Sequence, residues 1–184
     1  MLEFMNKLLA FGTILSQLFI VAIILHFIFF RTQGLKSIRN AIAFISSHGI
    51  LFAFITSLLA MLSSLFYSNI AGFPPCELCW YQRIFMYPLV IILGIAHFRR
   101  DKNILHYAMP LAVIGFIISL YHNVIYYKMG GLSAICNFSD IGVSCIQRYV
   151  FELGYVTIPL MALTAFAMVI MLLVLNKLYL KNKV

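Results

Sequence analysis

Five long apolar stretches, near residues 8–30, 48–67, 80–97, 104–127 and 153–175, leave this chain few ways to fold. Each has about the 17–25 residues that a helix needs to cross roughly 30 Å of hydrocarbon. Open strands would leave backbone groups unpaired in lipid, and no alternation of apolar and polar residues over segments of about ten points to a barrel. A helix bundle is therefore expected. Charged residues make up only 10% of the chain against 64% hydrophobic, far from the roughly 25% charged composition of soluble domains. No internal repeat, low-complexity tract or soluble domain interrupts the pattern. The first stretch exceeds the roughly 7–15 apolar residues of a secretory signal, and no A-x-A-like cleavage site follows Phe30. It reads as a retained span. The second span can begin before residue 48, because residues 41–47 are also mostly apolar.

The net charge is +8, yet the basic residues sit in short clusters at span ends rather than on a face interleaved with aromatics. This argues for a lipid bilayer and against nucleic acid as the partner. Arg31, Lys36 and Arg39 follow the first span, Arg99, Arg100 and Lys102 the third, and Lys177, Lys181 and Lys183 the fifth. Alternating spans put all three clusters on one side, which the positive-inside rule makes cytoplasmic, together with the C-terminus. The N-terminus and the loops near residues 68–79 and 128–152 then lie outside, with Cys76, Cys79, Cys136 and Cys145. Disulfides persist on that side of a membrane.

Cys76-Glu77-Leu78-Cys79 follows Pro74-Pro75 and opens the third span. A C-x-x-C pair can close a reducible disulfide, and a cysteine at a helix N-terminus gains thiolate character from the helix dipole. The same spacing can also serve half a zinc site. Cys136 and Cys145, in a loop rich in Gly, Ser and Asn, can form a second pair open to attack by a soluble partner. Two structural disulfides, or one four-cysteine zinc site, are the plainer alternatives.

Arg83 lies four residues after Cys79, about one turn along the same helix face. Within or at the lip of a span it is costly. It can stabilise the Cys79 thiolate, bind a carbonyl of a lipid-soluble acceptor, or snorkel to the headgroups. His122, near the outer end of the fourth span, can line the same site, transfer a proton, or be a satisfied interfacial histidine. Trp80, Tyr81, Tyr126, Tyr127, Tyr149 and Tyr155 read as an outer aromatic belt. Pro88, Pro110 and Pro159 fall inside spans, where they can kink helices and leave room for a ligand, or serve packing alone.

The run from Phe73 to Pro88, Phe-Pro-Pro-Cys-Glu-Leu-Cys-Trp-Tyr-Gln-Arg-Ile-Phe-Met-Tyr-Pro, resembles the DsbB and BdbC disulfide-bond formation proteins, in their short-loop form. The resemblance continues through Leu120-Tyr121-His122, Cys136, Cys145 and the run Gly154-Tyr155-Val156-Thr157-Ile158-Pro159, and spans roughly residues 48–175. It implies a four-helix transmembrane bundle, here in residues 41–184; residues 1–40 lie outside that core and, by their apolar run, add one N-terminal transmembrane helix and a cytoplasmic linker to an all-α integral membrane protein. It also implies an enzyme of the bacterial cell membrane, a thiol oxidase that reoxidises an extracytoplasmic thioredoxin-like, DsbA-type partner and passes electrons to a membrane quinone, ubiquinone or menaquinone. Carried over by position, Cys136 forms the mixed disulfide with the partner and Cys145 is its loop mate. Cys76 exchanges with the loop pair, Cys79 passes electrons to the quinone, and Arg83 orients or polarises it; His122, by its place at the outer end of the fourth span, is the further candidate to bind the quinone. No metal is then expected. The competing readings are a non-enzymatic zinc-binding membrane protein and a relay that runs electrons outward. An oxidising compartment and the separate Arg83 site argue against zinc.

Overall fold

The computed structural model describes residues 2–29, 36–101, 103–128 and 149–183. Helices α1 (Leu2–Phe29), α2 (Lys36–Ser47), α3 (Gly49–Leu65), α4 (Glu77–Arg99), α5 (Leu105–Lys128) and α6 (Ile158–Lys183) carry the fold, and a π-helical turn, Phe66–Ile70, prolongs α3. All but α2 are long and apolar enough to cross a membrane, so the five expected spans are present. The apolar residues 41–47 do not extend the second span. They belong to α2, an amphipathic helix separated from α3 by His48, where the backbone leaves helical geometry (φ −104°, ψ 17°).

Helices α3, α4, α5 and α6 form a closed ring, each packed on the next and α6 back on α3, while α1 and α2 pack against α6. The fold is a four-helix transmembrane bundle with an added N-terminal helix. Its centre is made of Ala53, Leu89, Leu93, Ala108, Ala112, Phe166 and Val169, none of them accessible. Large apolar side chains such as Phe98, Ile91 and Ile117 point outward instead, as lipid-facing positions do. Lipid tails are as apolar as the core, so close packing of small residues holds such helices together. At Gly115 a Cβ would come within 2.2 Å of the Phe166 ring, and at Gly49 within 2.8 Å of the Leu172 carbonyl oxygen. These two glycines let α5 and α3 approach α6.

Helices α1, α4 and α6 begin, and α3 and α5 end, at the end of the bundle that holds Cys76 and Cys79. There the chain leaves the π-helical turn through Gly72 (φ 70°) and runs through Pro74-Pro75 into α4. Neither proline has a backbone N–H, so neither can continue the preceding helix. Before α6, Leu153 (φ 53°) and Gly154 (φ 80°) make a tight turn closed by paired hydrogen bonds between Glu152 and Val156 at 2.9 and 2.8 Å. Pro88 and Pro110 lie inside α4 and α5. Pro159, expected inside a span, is instead the second residue of α6, where a missing N–H costs no intrahelical bond.

Candidate active site

Cys76 is the N-cap residue of α4, with extended backbone (φ −71°, ψ 171°), and its carbonyl accepts the Trp80 N–H at 3.1 Å. The prolines act on the residues before them, pushing Phe73 and Pro74 out of helical geometry, so α4 can begin only after this pair. Cys79 then falls in the first turn of α4. Both sulfurs face the same way, 3.1 Å apart, with Cys76 buried and Cys79 partly exposed. Glu77 in the same turn complements the positive end of the helix dipole.

The Cys76 sulfur lies 3.9 Å from Nε2 of His122 on α5. The other ring nitrogen, Nδ1, meets the side-chain amide nitrogen of Gln82 at 3.1 Å, and both side chains are buried. An amide nitrogen only donates, so in this arrangement Nδ1 accepts and a neutral His122 carries its proton on Nε2, facing the sulfur. The imidazole can thus donate to a thiolate on Cys76. Gln82 had no assigned role in the sequence reading. Its signal was present, a polar amide inside a span, but its partner lies on another helix.

Arg83 does not simply run to the headgroups. Its Nε donates to Ser64 Oγ at 2.9 Å and its Nη2 to the Ser64 carbonyl at 3.0 Å, while the guanidinium carbon stands 5.3 Å from the Trp80 ring centroid. Ser64 lies just before the π-helical turn of α3, a distortion often found at functional sites. Two of the five N–H donors of a guanidinium are engaged in these bonds.

Cys76, Cys79, Arg83 and His122 all line one cavity of about 400 Å³, within the roughly 300–1,000 Å³ of small-molecule sites. Its remaining walls are mainly apolar, from α1, α3 and α6. An apolar chamber with a guanidinium, an imidazole and two thiols at one end suits a flat acceptor with polar ring oxygens and an apolar tail. The sulfur and nitrogen ligand atoms of Cys76, Cys79 and His122 also lie within 4.8 Å of one another, which chemically would suit a soft metal with an open fourth position. Cys136 and Cys145 lie outside the described residues.

Two expected belt residues belong to this region instead. Tyr126 is buried, and Tyr149 stacks on Phe73 at 4.7 Å, with Phe73 on Tyr67 at 6.0 Å. Trp80, Tyr81, Tyr127 and Tyr155 remain outward. Asn123, beside His122, ties α5 to the start of α6 by donating to the Ser119 and Pro159 carbonyls at 2.8 and 2.9 Å.

Residues 46–176 match the family described as Disulfide bond formation protein DsbB. Disulfide bond formation protein C of Bacillus subtilis (strain 168) is 44% identical over 139 residues, 76% of this chain and 96% of the relative. A Probable disulfide formation protein C 2 of Bacillus anthracis is 45% identical over 118 residues, 64% of this chain and 82% of the relative. A Probable disulfide formation protein of Chlamydia pneumoniae is 42% identical over 138 residues, 75% of this chain and 98% of the relative. No solved structure matches the chain significantly. With the match covering most of the chain, including α3, α4, α5, most of α6 and the C-x-x-C pair, this multi-pass membrane protein belongs to the DsbB family of disulfide bond formation proteins, the thiol oxidoreductases of membranes.

Proposed function

We propose that the protein reoxidises an extracytoplasmic thioredoxin-like, DsbA-type dithiol protein and delivers the electrons to a membrane quinone, ubiquinone or menaquinone. The observation that supports this reading best is the shared cavity: a C-x-x-C pair, Arg83 and His122 face one apolar chamber among membrane-spanning helices. A bound quinone would supply a two-electron, two-proton acceptor.

In this reading the Cys136–Cys145 disulfide takes two electrons from the partner through a mixed disulfide on Cys136. The resulting thiols attack the Cys76–Cys79 disulfide, leaving the loop oxidised and the C-x-x-C pair reduced. His122, oriented by Gln82, steadies the charge on Cys76 during exchange. Cys79 faces the acceptor, and Arg83, held by Ser64, orients its ring oxygen. The basic clusters at the opposite end of the bundle keep that end cytoplasmic and the cysteine end outside. The partner and the loop then meet in the compartment where disulfides last.

The test is anaerobic mixing of chelator-treated, full-length protein with a reduced thioredoxin-like partner and a soluble quinone analogue. Quinol should appear in step with partner oxidation. Partner oxidation without quinol would refute the acceptor, and activity that returns only with zinc would favour the metal reading.

A further inference from the structure

We infer that α1 forms a wall of the acceptor cavity and sets how much room the acceptor has beside α4. This rests on the quinone reading above. The match to the DsbB family begins at residue 46, and the Bacillus subtilis relative is aligned over 96% of its own length by only 139 residues of this chain. Helix α1, Leu2–Phe29, precedes that match entirely.

The ring helices α3 and α6 are in close contact at the end away from the cysteines, where Gly49 meets Asn176 and Leu172. Toward the cysteine end both line the cavity instead. Helix α1 stands at this gap. Leu8, Leu9, Gly12, Thr13 and Ser16, a single face at helical spacing, line the same cavity as Cys79 and Arg83.

Polar contacts fix which face of α1 turns inward. Tyr67 donates its hydroxyl to Asn6 Oδ1 at 3.0 Å in a buried bond. Gln17 donates to Thr164 Oγ1 at 3.1 Å and accepts from the Tyr155 hydroxyl at 2.9 Å. In lipid, unmatched polar side chains are costly, so bonds at both ends of the inner face oppose rotation or sliding of α1. Ala10 between them is fully buried. The outer face, with Phe11, Leu15 and Leu18, is exposed.

Gly12 and Leu8 line the cavity yet are themselves exposed, at the open edge of this face, and a Cβ placed on Gly12 meets nothing within 4 Å. A side chain added at Gly12 would therefore enter open space beside the cavity rather than clash with a neighbouring helix.

The test uses the full chain in lipid nanodiscs. Affinity for a short-tailed quinone is read from quenching of the single tryptophan, Trp80. Gly12→Phe should weaken binding at least about tenfold, as overfilling a shaped space does, and Gly12→Ala less than about threefold. Leu18→Phe, on the lipid face, should leave affinity unchanged. A photoreactive quinone should label the segment Leu8–Ser16 in the wild-type chain, which decides the matter even if Gly12→Phe fails to insert. Equal affinity in an inserted Gly12→Phe protein, or a label that reaches α3 and α4 but not α1, overturns the role of α1 and leaves the proposed function standing. A wild-type chain that binds no quinone overturns both.

Discussion

Replacing Arg83 tests the proposed acceptor site most directly. Arg83→Gln removes the permanent charge, the paired bonds to Ser64 at 2.9 and 3.0 Å and the contact with Trp80. A lost hydrogen bond from a charged donor to an acceptor oxygen is worth about 1.5–3 kcal/mol, or roughly a tenfold to hundredfold loss in quinone affinity or turnover. Arg83→Lys keeps the charge but not the planar fork, and should retain part of the activity. Ser64→Ala separates holding from binding. It removes the Oγ acceptor but leaves the Ser64 carbonyl, so one of the two anchoring bonds survives. Its loss should stay at or below about tenfold, the lower end of that bond range. The assay is stopped-flow quinone reduction by the pre-reduced protein, beside a separate measurement of thiol exchange with the partner. Exchange should be nearly unchanged in all three variants. Normal quinone kinetics in a folded, inserted Arg83→Gln protein would refute the assignment and leave Arg83 as a helix-joining residue.

Three other outcomes follow from the structure. Gly115→Ala places a methyl 2.2 Å from the fully buried Phe166 ring, and overpacking of this kind costs about 1–3 kcal/mol. Thermal unfolding in detergent should shift down, and Phe166→Leu should restore part of the loss. Gln82→Leu leaves His122 Nδ1 without the amide it meets at 3.1 Å. An unsatisfied buried group costs about 1–3 kcal/mol, so exchange at Cys76 should slow by more than quinone affinity falls. Sidedness is tested by a membrane-impermeant thiol reagent on intact, mildly reduced cells, which should label all four cysteines; a need for lysis would reverse the orientation.

The spans were legible because lipid demands long apolar runs, and that demand leaves a plain trace in composition. The break at His48 was not, because residues 41–47 are apolar enough to pass for more span; only the amphipathic pattern of the whole segment Lys36–Ser47 marks a separate helix. Cys76, Cys79 and Arg83 were legible from spacing within one helix. Their partners were harder to read. Ser64 and Gln82 reach the site across helix–helix contacts, over separations of 19 and 40 residues along the chain from Arg83 and His122. Tyr126 and Tyr149 look like belt residues by position, and only the packing shows that one is buried and the other stacked over the cavity.

The two ends of the bundle are joined by different physics. Away from the cysteines, α3 and α6 meet through the absent side chain of Gly49, and α2 is tied to α6 beside them by Asn176 donating to the Ser46 carbonyl at 2.8 Å. At the cysteine end almost every helix joint is polar: Gln82 with His122 joins α4 to α5, Arg83 with Ser64 joins α4 to α3, Asn123 with Pro159 joins α5 to α6, and Gln17 with Thr164 joins α1 to α6. Polar groups at membrane depth must be matched within the protein, so the residues proposed for chemistry also hold the helices apart at the width of the cavity. Loss of one such residue should therefore alter the shape of the site as well as its chemistry. Pairs such as Arg83 and Ser64 should then show non-additive effects in a double-mutant cycle on quinone turnover, as residues sharing one network do. Additive losses would mean that the two side chains act independently, and that the joint between α3 and α4 does not shape the cavity.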